Sequence, residues 1–365
     1  MNDLAHMRAA LGLARRGLGA VWPNPTVGCV LVNDGEVVGR GWTQPGGRPH
    51  AETEALSRAG ERAVGATAYV SLEPCCHWGK TPPCTEALAA AGIVRVVLAL
   101  EDPDPRVAGK GVRRLREAGI DVAVGLGAEE AAEINAGFLT RMRLGRPLAT
   151  LKLATSLDAR IATAGGESRW ITGAAARARG HLLRASHDAV MVGGNTTIAD
   201  DPELTCRLNG LERRSPVRII VDGSLRVPLT ARVVADAQRA PTWFLVRTGA
   251  DEARRRTLVQ CGVEVIEVPP GEGGEIDLAR AFAALGQRGL TRVLVEGGGR
   301  LAAALLAADL IDRIAWFRAP LVIGGDGRPA VAPLGLEFLA AAPRFVRQAV
   351  EEVGEDVLET LRRAP

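Results

Sequence analysis

The sequence predicts a two-domain α/β protein, and three observations carry that prediction. The 365 residues exceed what one hydrophobic core usually supports. Segments with strand and helix patterns alternate through both halves, as layered α/β domains require. Gly145-Arg146-Pro147 breaks a helical pattern just before a new apolar run, because glycine and proline both disfavour continuation. The expected domains are therefore residues 1–146 and 147–365.

In the first half, apolar runs at 27–32 and 36–41 flank Asn33-Asp34-Gly35, a hairpin turn signal. A helix over 50–62 and a strand over 66–72 follow, then a helix over 85–91 and a strand over 94–100. Residues 109–118, 121–124 and 128–143 repeat helix, strand and helix. The second half opens with a strand at 148–155 and has further strand patterns at 189–192, 217–221, 242–246, 263–268 and 293–295. Helical patterns lie at 174–185, 251–259, 276–285 and 300–307. Residues 345–361 alternate in places, without a clear assignment. The Gly/Glu-rich stretch at 271–275 reads as a surface loop.

Apolar residues make up 47% and charged residues 24%, so a large core is available and global disorder is excluded. The net charge of +3 is spread along the chain without a basic run, which argues against nucleic acid as a partner. Residues 1–20 carry Asp3, Arg8, Arg15 and Arg16 and lack an uninterrupted apolar stretch, so no secretory leader is expected. No membrane span is expected either, and a cytoplasmic location follows. The cysteines, Cys29, Cys75, Cys76, Cys84, Cys206 and Cys261, are few and unevenly clustered, a pattern of metal or catalytic use rather than disulfides.

The strongest constellation begins at His50-Ala51-Glu52 and continues, after a strand, at Pro74-Cys75 and on to Cys84. A catalytic zinc takes three protein ligands and leaves a fourth position for water. His50, Cys75 and Cys84 supply one imidazole and two thiolates, enough for one zinc per chain. Glu52, two residues past the histidine, can approach the metal without binding it and carry protons. H-x-E followed by Pro-Cys and a second Cys is the signature of hydrolytic zinc deaminases of nucleobases. Here the second cysteine stands nine positions after the first, not three. Cys76 and His77 could substitute as ligands, but Pro74-Cys75 holds the signature position.

With Pro23-Asn24-Pro25-Thr26-Val27-Gly28-Cys29-Val30 and the segment Gly79-Lys80-Thr81-Pro82-Pro83-Cys84, this half resembles the bifunctional riboflavin-biosynthesis deaminase–reductase family. The resemblance covers nearly the whole chain. It implies a three-layer cytidine-deaminase-like domain followed by a dihydrofolate-reductase-like α/β domain. It also implies that Asn24 holds the pyrimidine ring and that Lys80 helps bind the substrate. An Asn amide both donates and accepts, and an ammonium suits a phosphate.

The second half has no G-x-G-x-x-G after a strand, so an ordinary Rossmann fingerprint is absent. Its resemblance rests on 151–158, 168–172, 188–193, Thr196, 200–207 and Glu296-Gly297-Gly298-Gly299. Glu296 ends an apolar strand, where a carboxylate commonly faces a ligand crevice. The glycines after it open a helix whose free N–H groups favour phosphate. By resemblance, Gly298, Gly299, Arg300, Leu301, Ala302, Ala303 and Ala304 hold the NADPH pyrophosphate. Ala154, Trp170, Thr196, Asp200 and Ser224 line the same cofactor site. Ser168, Arg184, Leu204, Arg207 and Glu296 contact the substrate, and Lys152 steadies its opened ribose as aldehyde or imine. The arginines fit a phosphoribosyl group because a guanidinium grips phosphate bidentately. Two positions depart from the family pattern: Ala159 stands where glycine is usual, and the serine expected beside Asp222 is displaced to Ser224 by Gly223.

The implied substrate is a small phosphoribosyl-pyrimidine, deaminated in the first domain and reduced with NADPH in the second. The nearest alternative is a deaminase of cytidine or a tRNA adenosine fused to an unrelated domain. A homo-oligomer is expected.

Overall fold

The computed structural model describes residues 3–79 and 82–364. The chain divides into two compact units, Met1–Gly145 and Arg146–Pro365. Arg146 belongs to the second unit, where its guanidinium grips the Asp312 carboxylate at 2.8 and 2.9 Å.

The first unit runs α1 (Asp3–Ala14), β1 (Gly28–Asn33), β2 (Glu36–Trp42), α2 (Ala51–Ala59), β3 (Thr67–Val70), α3 (Cys84–Ala90), β4 (Arg95–Leu98), α4 (Lys110–Glu117), β5 (Asp121–Val124), α5 (Ala128–Ile134) and α6 (Ala136–Leu144). The sheet order is β2-β1-β3-β4-β5. β1 is antiparallel to both neighbours, whereas β3, β4 and β5 are parallel. Successive strand residues face opposite sides, and the core divides accordingly. Val30, Val32, Tyr69 and Val97 pack against Met7, Leu11 and Ile134 on one side. Cys29, Leu31, Val70 and Leu98 pack against Ala55, Leu88, Leu115 and Phe138 on the other. Three layers result.

Two differences from the sequence reading have physical causes. Helix α1 was not expected; its buried stripe, Met7, Ala10, Leu11 and Ala14, keeps helical spacing but is half alanine, which a hydropathy pattern registers weakly. The single helix expected over 128–143 is broken at Asn135, which is non-helical at ψ 12. Its side chain instead clamps Thr26, accepting from the backbone N–H at 3.0 Å and donating to the carbonyl at 3.1 Å.

The second unit runs β6 (Leu148–Thr155), β7 (Arg160–Ala162), α7 (Ala174–Ala185), β8 (Ala189–Gly193), α8 (Gly194–Asp200), β9 (Val217–Val221), α9 (Arg232–Ala235), β10 (Thr242–Arg247), α10 (Glu252–Gln260), β11 (Glu264–Val268), α11 (Leu278–Gln287), β12 (Arg292–Val295), α12 (Gly299–Ala307), β13 (Arg313–Arg318), β14 (Arg328–Pro329), β15 (Phe345–Val353) and β16 (Asp356–Arg363). Nine strands form one sheet in the order β11-β10-β9-β8-β12-β6-β13-β16-β15, and β14 pairs with β7 separately. From β11 to β13 every pairing is parallel; β16 and β15 are antiparallel additions. The unassigned residues at 345–361 are thus a hairpin, turning at Gly354 with φ 70. Strand β15 is exposed almost throughout, so no in–out alternation marks it. Strand β13 and helix α8 also went unassigned, β13 because arginines flank its apolar centre.

Candidate active sites

Helix α2 sits unusually close to β2 because Gly39 and Gly41 face it. A Cβ on Gly41 would lie 2.1 Å from the Ala51 carbonyl oxygen, and one on Gly39 2.4 Å from that of Ala55. This seating presents His50, the N-cap residue with ψ 160, and Glu52 in the first turn. From the other side, Cys75 follows β3 and Cys84 opens α3, where the N-terminal N–H groups favour a thiolate.

One ligand atom from each of His50, Cys75 and Cys84 lies within 4.8 Å of the others. His50 Nδ1 is 3.6 Å from Cys75 Sγ and 3.4 Å from Cys84 Sγ. Zinc–ligand bonds of about 2.0–2.3 Å in a tetrahedron place ligand atoms roughly 3.5–3.8 Å apart, so the three residues fit zinc. Their protonation is linked: the hydrogen bond from Cys84 is the largest influence lowering the Cys75 thiol, to about 4. The same bond raises Cys84 well above the ordinary thiol range. Glu52 is buried at 3% exposure, and that burial raises its pKa above the usual carboxylate value. A carboxyl raised in this way holds a proton more readily than a free one, which suits it to pass protons on.

Cys76 and His77 stand apart from the ligand set. Cys76 Sγ points to the Arg106 carbonyl at 3.6 Å, and His77 Nδ1 is buried without a hydrogen-bond partner. Asn24 donates to the Gly47 carbonyl at 3.2 Å. Gly47 permits this approach, since a Cβ there would lie 1.7 Å from Asn24 Nδ2. Lys80 lies outside the described residues. The Glu73 carboxylate ties down the Cys75 loop in a way no sequence motif announced. It accepts N–H bonds from Asp102, Gly109 and Val112 at 3.2, 3.0 and 3.0 Å.

The second unit holds a cavity of about 1020 Å³ across the carboxyl ends of β6, β12, β8 and β9, where open parallel sheets bind ligands. Lys152, Ala154, Ser168, Thr196, Asp200, Ser224, Glu296, Gly298, Gly299, Arg300, Leu301 and Ala304 all line it. The Gly298 N–H donates to Thr196 Oγ1 at 3.0 Å, joining the starts of α12 and α8. Gly299 is a close approach, with a Cβ there 2.8 Å from the Pro329 carbonyl oxygen. The first N–H groups of α12 face this space, and a pyrophosphate fits them.

Other expected residues lie off the cavity. Ala302 and Ala303 are on the buried side of α12 at 0% and 7% exposure, so their side chains serve packing. Leu204 is 2% exposed and packs in the core, which leaves only its backbone, at φ 57, for a ligand. Trp170 is exposed, with Arg177 stacked 4.5 Å from its ring centre. Arg207 is exposed and pairs with Glu203 at 3.2 Å. Its N–H donates to Nδ1 of His181 at 3.3 Å, a histidine that no motif singled out.

Arg184, expected to grip phosphate, uses its fork on Glu296 instead. Nε and Nη2 donate to the carboxylate at 2.7 and 2.8 Å, and Nη1 to the Thr205 carbonyl at 2.9 Å. Burial alone would raise Glu296, but the charges of Arg184 and Lys152 outweigh it and hold the carboxyl at about 2. The cavity therefore keeps a fixed anion beside the Lys152 ammonium. Asn195, Asp222, Arg226 and Arg328 also line the cavity; the residues just past β8 and β9 were the available signal for the first three.

The two folds and two sites define a zinc deaminase joined to a nucleotide-dependent reductase. Residues 1–100 match the cytidine and deoxycytidylate deaminase zinc-binding region, and residues 147–358 match the RibD C-terminal domain. The chain is 46% identical to riboflavin biosynthesis protein RibD of Escherichia coli K12, covering 98% of each. It is 42% identical to that of Aquifex aeolicus, covering 99% of this chain and 98% of the relative. Among solved structures, Acinetobacter baumannii RibD superposes with a TM-score of 0.90 at 40% identity, over 100% of this chain and 99% of that one. The Thermotoga maritima diaminohydroxyphosphoribosylaminopyrimidine deaminase/5-amino-6-(5-phosphoribosylamino)uracil reductase gives 0.87 at 34% identity, over 99% of each. The chain belongs to the RibD family of riboflavin biosynthesis proteins; its cofactors are zinc and NADPH.

Proposed function

We propose that the first unit converts 2,5-diamino-6-(5-phosphoribosylamino)pyrimidin-4(3H)-one and water to 5-amino-6-(5-phosphoribosylamino)uracil and ammonia. The second unit then reduces the ribosyl group to ribityl. The observation that carries this reading is the meeting of His50, Cys75 and Cys84 in a zinc-sized triangle, in a chain that also holds a dinucleotide-sized cavity.

His50, Cys75 and Cys84 would hold the zinc, which when bound would supply Lewis-acid chemistry that makes water nucleophilic near neutral pH. Glu52 takes one proton from the attacking water and passes it to the ring nitrogen, then carries the second proton, from the newly added hydroxyl, to the departing amine. Its burial suits that shuttle. Asn24 orients the pyrimidine edge, and Lys80 serves the phosphate.

The cavity residues would hold NADPH, which when bound would supply a hydride for the ribosyl C1′. The start of α12 seats the pyrophosphate, and Thr196 orients the adjoining Gly298 N–H. Lys152 and Glu296 face the end of the cavity where the opened ribose enters. Arg184 holds Glu296 ionised and in place, so its part in substrate binding is carried through that carboxylate.

Among the described residues no helix is long and apolar enough to cross a membrane; a cytoplasmic location and a small-molecule substrate, without nucleic acid, complete the reading. The exposed edge strand β15 favours a homo-oligomer, since an unpaired edge of that length invites a partner strand.

The test is to incubate the protein with the diaminopyrimidine phosphate, follow ammonia and the uracil chromophore, and then add NADPH and follow its oxidation. Ammonia from cytidine, with none from the pyrimidine phosphate, would overturn the proposal.

A further inference from the structure

Helix α7 brings two polar side chains, His181 and Arg184, to one place. They are three positions apart, the spacing that sets helical side chains side by side. Both engage the backbone of residues 205–207, a stretch in neither helix nor strand. Arg184 Nη1 donates to the Thr205 carbonyl at 2.9 Å, and the Arg207 N–H donates to His181 Nδ1 at 3.3 Å. Between them, the Cys206 N–H donates to Ser215 Oγ at 3.1 Å and the Cys206 thiol to the His181 carbonyl at 3.5 Å. A stretch outside regular secondary structure depends on such bonds to satisfy and fix its backbone. The Arg184 fork on Glu296 also ties it to a carboxylate that lines the cavity.

Arg207 is the residue that this arrangement aims. One nitrogen of its guanidinium is engaged by Glu203 at 3.2 Å, and half of the side chain is exposed. The remaining donors suit an anion such as the substrate's phosphate. His181 holds the backbone N–H of the same residue, so the imidazole sets where that side chain starts. A neutral imidazole accepts at one nitrogen and donates at the other, whereas the protonated ring donates at both. The bond to the Arg207 N–H therefore exists only while Nδ1 carries no proton. Burial is the largest cause lowering the His181 pKa, followed by the charges of Arg184 and Arg207, with Glu296 and the Thr205 backbone opposing. Those charges reach the ring from α7 itself, from residue 207 and from the end of β12. Lys152 on β6 and Glu203 stand one group further out, against Glu296 and Arg207. The ring is thus neutral at neutral pH and loses its acceptor as pH falls below about 6.5.

We infer that His181 is a positioning residue of the reductase: its neutral ring fixes the Arg207 backbone, holds that guanidinium toward the substrate's phosphate, and releases it in acid. The inference rests on the reductase reading, with Arg207 as the phosphate ligand, and goes further by naming what positions that ligand and what undoes it. His181 acts through residue 207, so its effect falls on substrate affinity and not on the hydride step or on NADPH.

The experiment follows NADPH oxidation with the aminouracil phosphate by the full-length protein from about pH 8 to about pH 5, and NADPH binding separately. It compares wild type with His181→Asn, His181→Ala and Arg207→Ala. Asn places its Oδ1 where the histidine has Nδ1 and does not titrate. At the alkaline end His181→Ala should raise KM by roughly 2- to 10-fold, the worth of one neutral hydrogen bond, with kcat nearly unchanged. His181→Asn should stay within about two-fold of wild type there. On acidification the wild-type KM should climb above that of His181→Asn by a similar factor, roughly 2- to 10-fold. The phosphate's own proton, with a pKa of about 6, acts alike in both. Arg207→Ala should start from a higher KM and depend on pH no more than His181→Asn does, which carries the test should a His181 variant fail to fold. NADPH affinity should be the same in every variant. A wild-type KM no more dependent on pH than that of either His181→Asn or Arg207→Ala overturns the inference and leaves the reductase reading intact. So does a loss of NADPH affinity equal to the loss of substrate affinity. Wild-type protein that binds NADPH but does not oxidise it with the aminouracil phosphate at any pH removes both.

Discussion

Residue identity at the first site was legible because the chemistry demands particular atoms at particular spacings. His50 and Cys75 could be named from H-x-E and Pro-Cys, and Cys84 as the second cysteine at the end of the Gly/Pro-rich loop that follows; the structure brings their ligand atoms together. Charge pairing was not legible. Nothing in the sequence says that Arg184 spends its donors on Glu296, because the two residues are far apart in the chain and either could face solvent. Ala159 shows the opposite case. The family pattern marked it as a glycine position, and the structure gives the reason: φ is 61, a left-handed conformation in which a Cβ crowds the following carbonyl. An Ala159→Gly variant should therefore be more stable by about 0.5–1 kcal/mol, seen as a higher unfolding midpoint of the second unit in denaturant. A lower midpoint would show that the methyl is compensated locally.

Strands and helices with a two-sided pattern were read well, whereas elements without one escaped. The parallel strands β6, β8, β9, β10 and β12 are apolar runs between turn signals. Strand β15 is almost wholly exposed and α1 depends on alanines, so neither carries a contrast to read. Asn135 is the instructive miss between these cases. Its helical surroundings predict continuation, but its side chain satisfies the Thr26 backbone and ties α6 to the segment that bears Asn24. The seat of α2 on β2 also belongs to this scale, since it depends on what two glycines lack. Gly41→Ala would put a methyl 2.1 Å from the Ala51 carbonyl oxygen, and such overpacking costs about 1–3 kcal/mol. The shifted helix carries His50 and Glu52, so zinc affinity and ammonia release should fall together while NADPH binding is kept. Loss of NADPH binding to the same degree would contradict the independence of the two sites.

Across the whole molecule, the first unit carries a cluster of metal-ligand side chains and the second a cavity at its strand ends, and the chain order follows the order of the chemistry. Acid should unsettle the second unit through His187. That ring is buried between the Leu183 carbonyl, 2.7 Å from Nδ1, and Thr150 Oγ1, 3.0 Å from Nε2. Burial is the largest cause, with Arg292 next, holding its pKa down at about 3 from the ordinary 6.5. A histidine depressed in the fold takes its proton first in the unfolded chain, so its contribution is complete above about pH 6.5 and is lost as pH falls toward 3. Denaturant midpoints measured across that window should drop, with a flatter dependence in His187→Gln; identical slopes would assign the acid sensitivity elsewhere.

The central claim is that Glu52 carries protons at a zinc site whose product the second unit reduces. The most direct measurement is Glu52→Gln, assayed for zinc content, ammonia release from the diaminopyrimidine phosphate, and NADPH oxidation with the aminouracil phosphate. The account predicts zinc near one per chain, ammonia release lower by roughly 10²–10⁴-fold, and undiminished NADPH oxidation. Ammonia release at the wild-type rate, with zinc still bound, would contradict it.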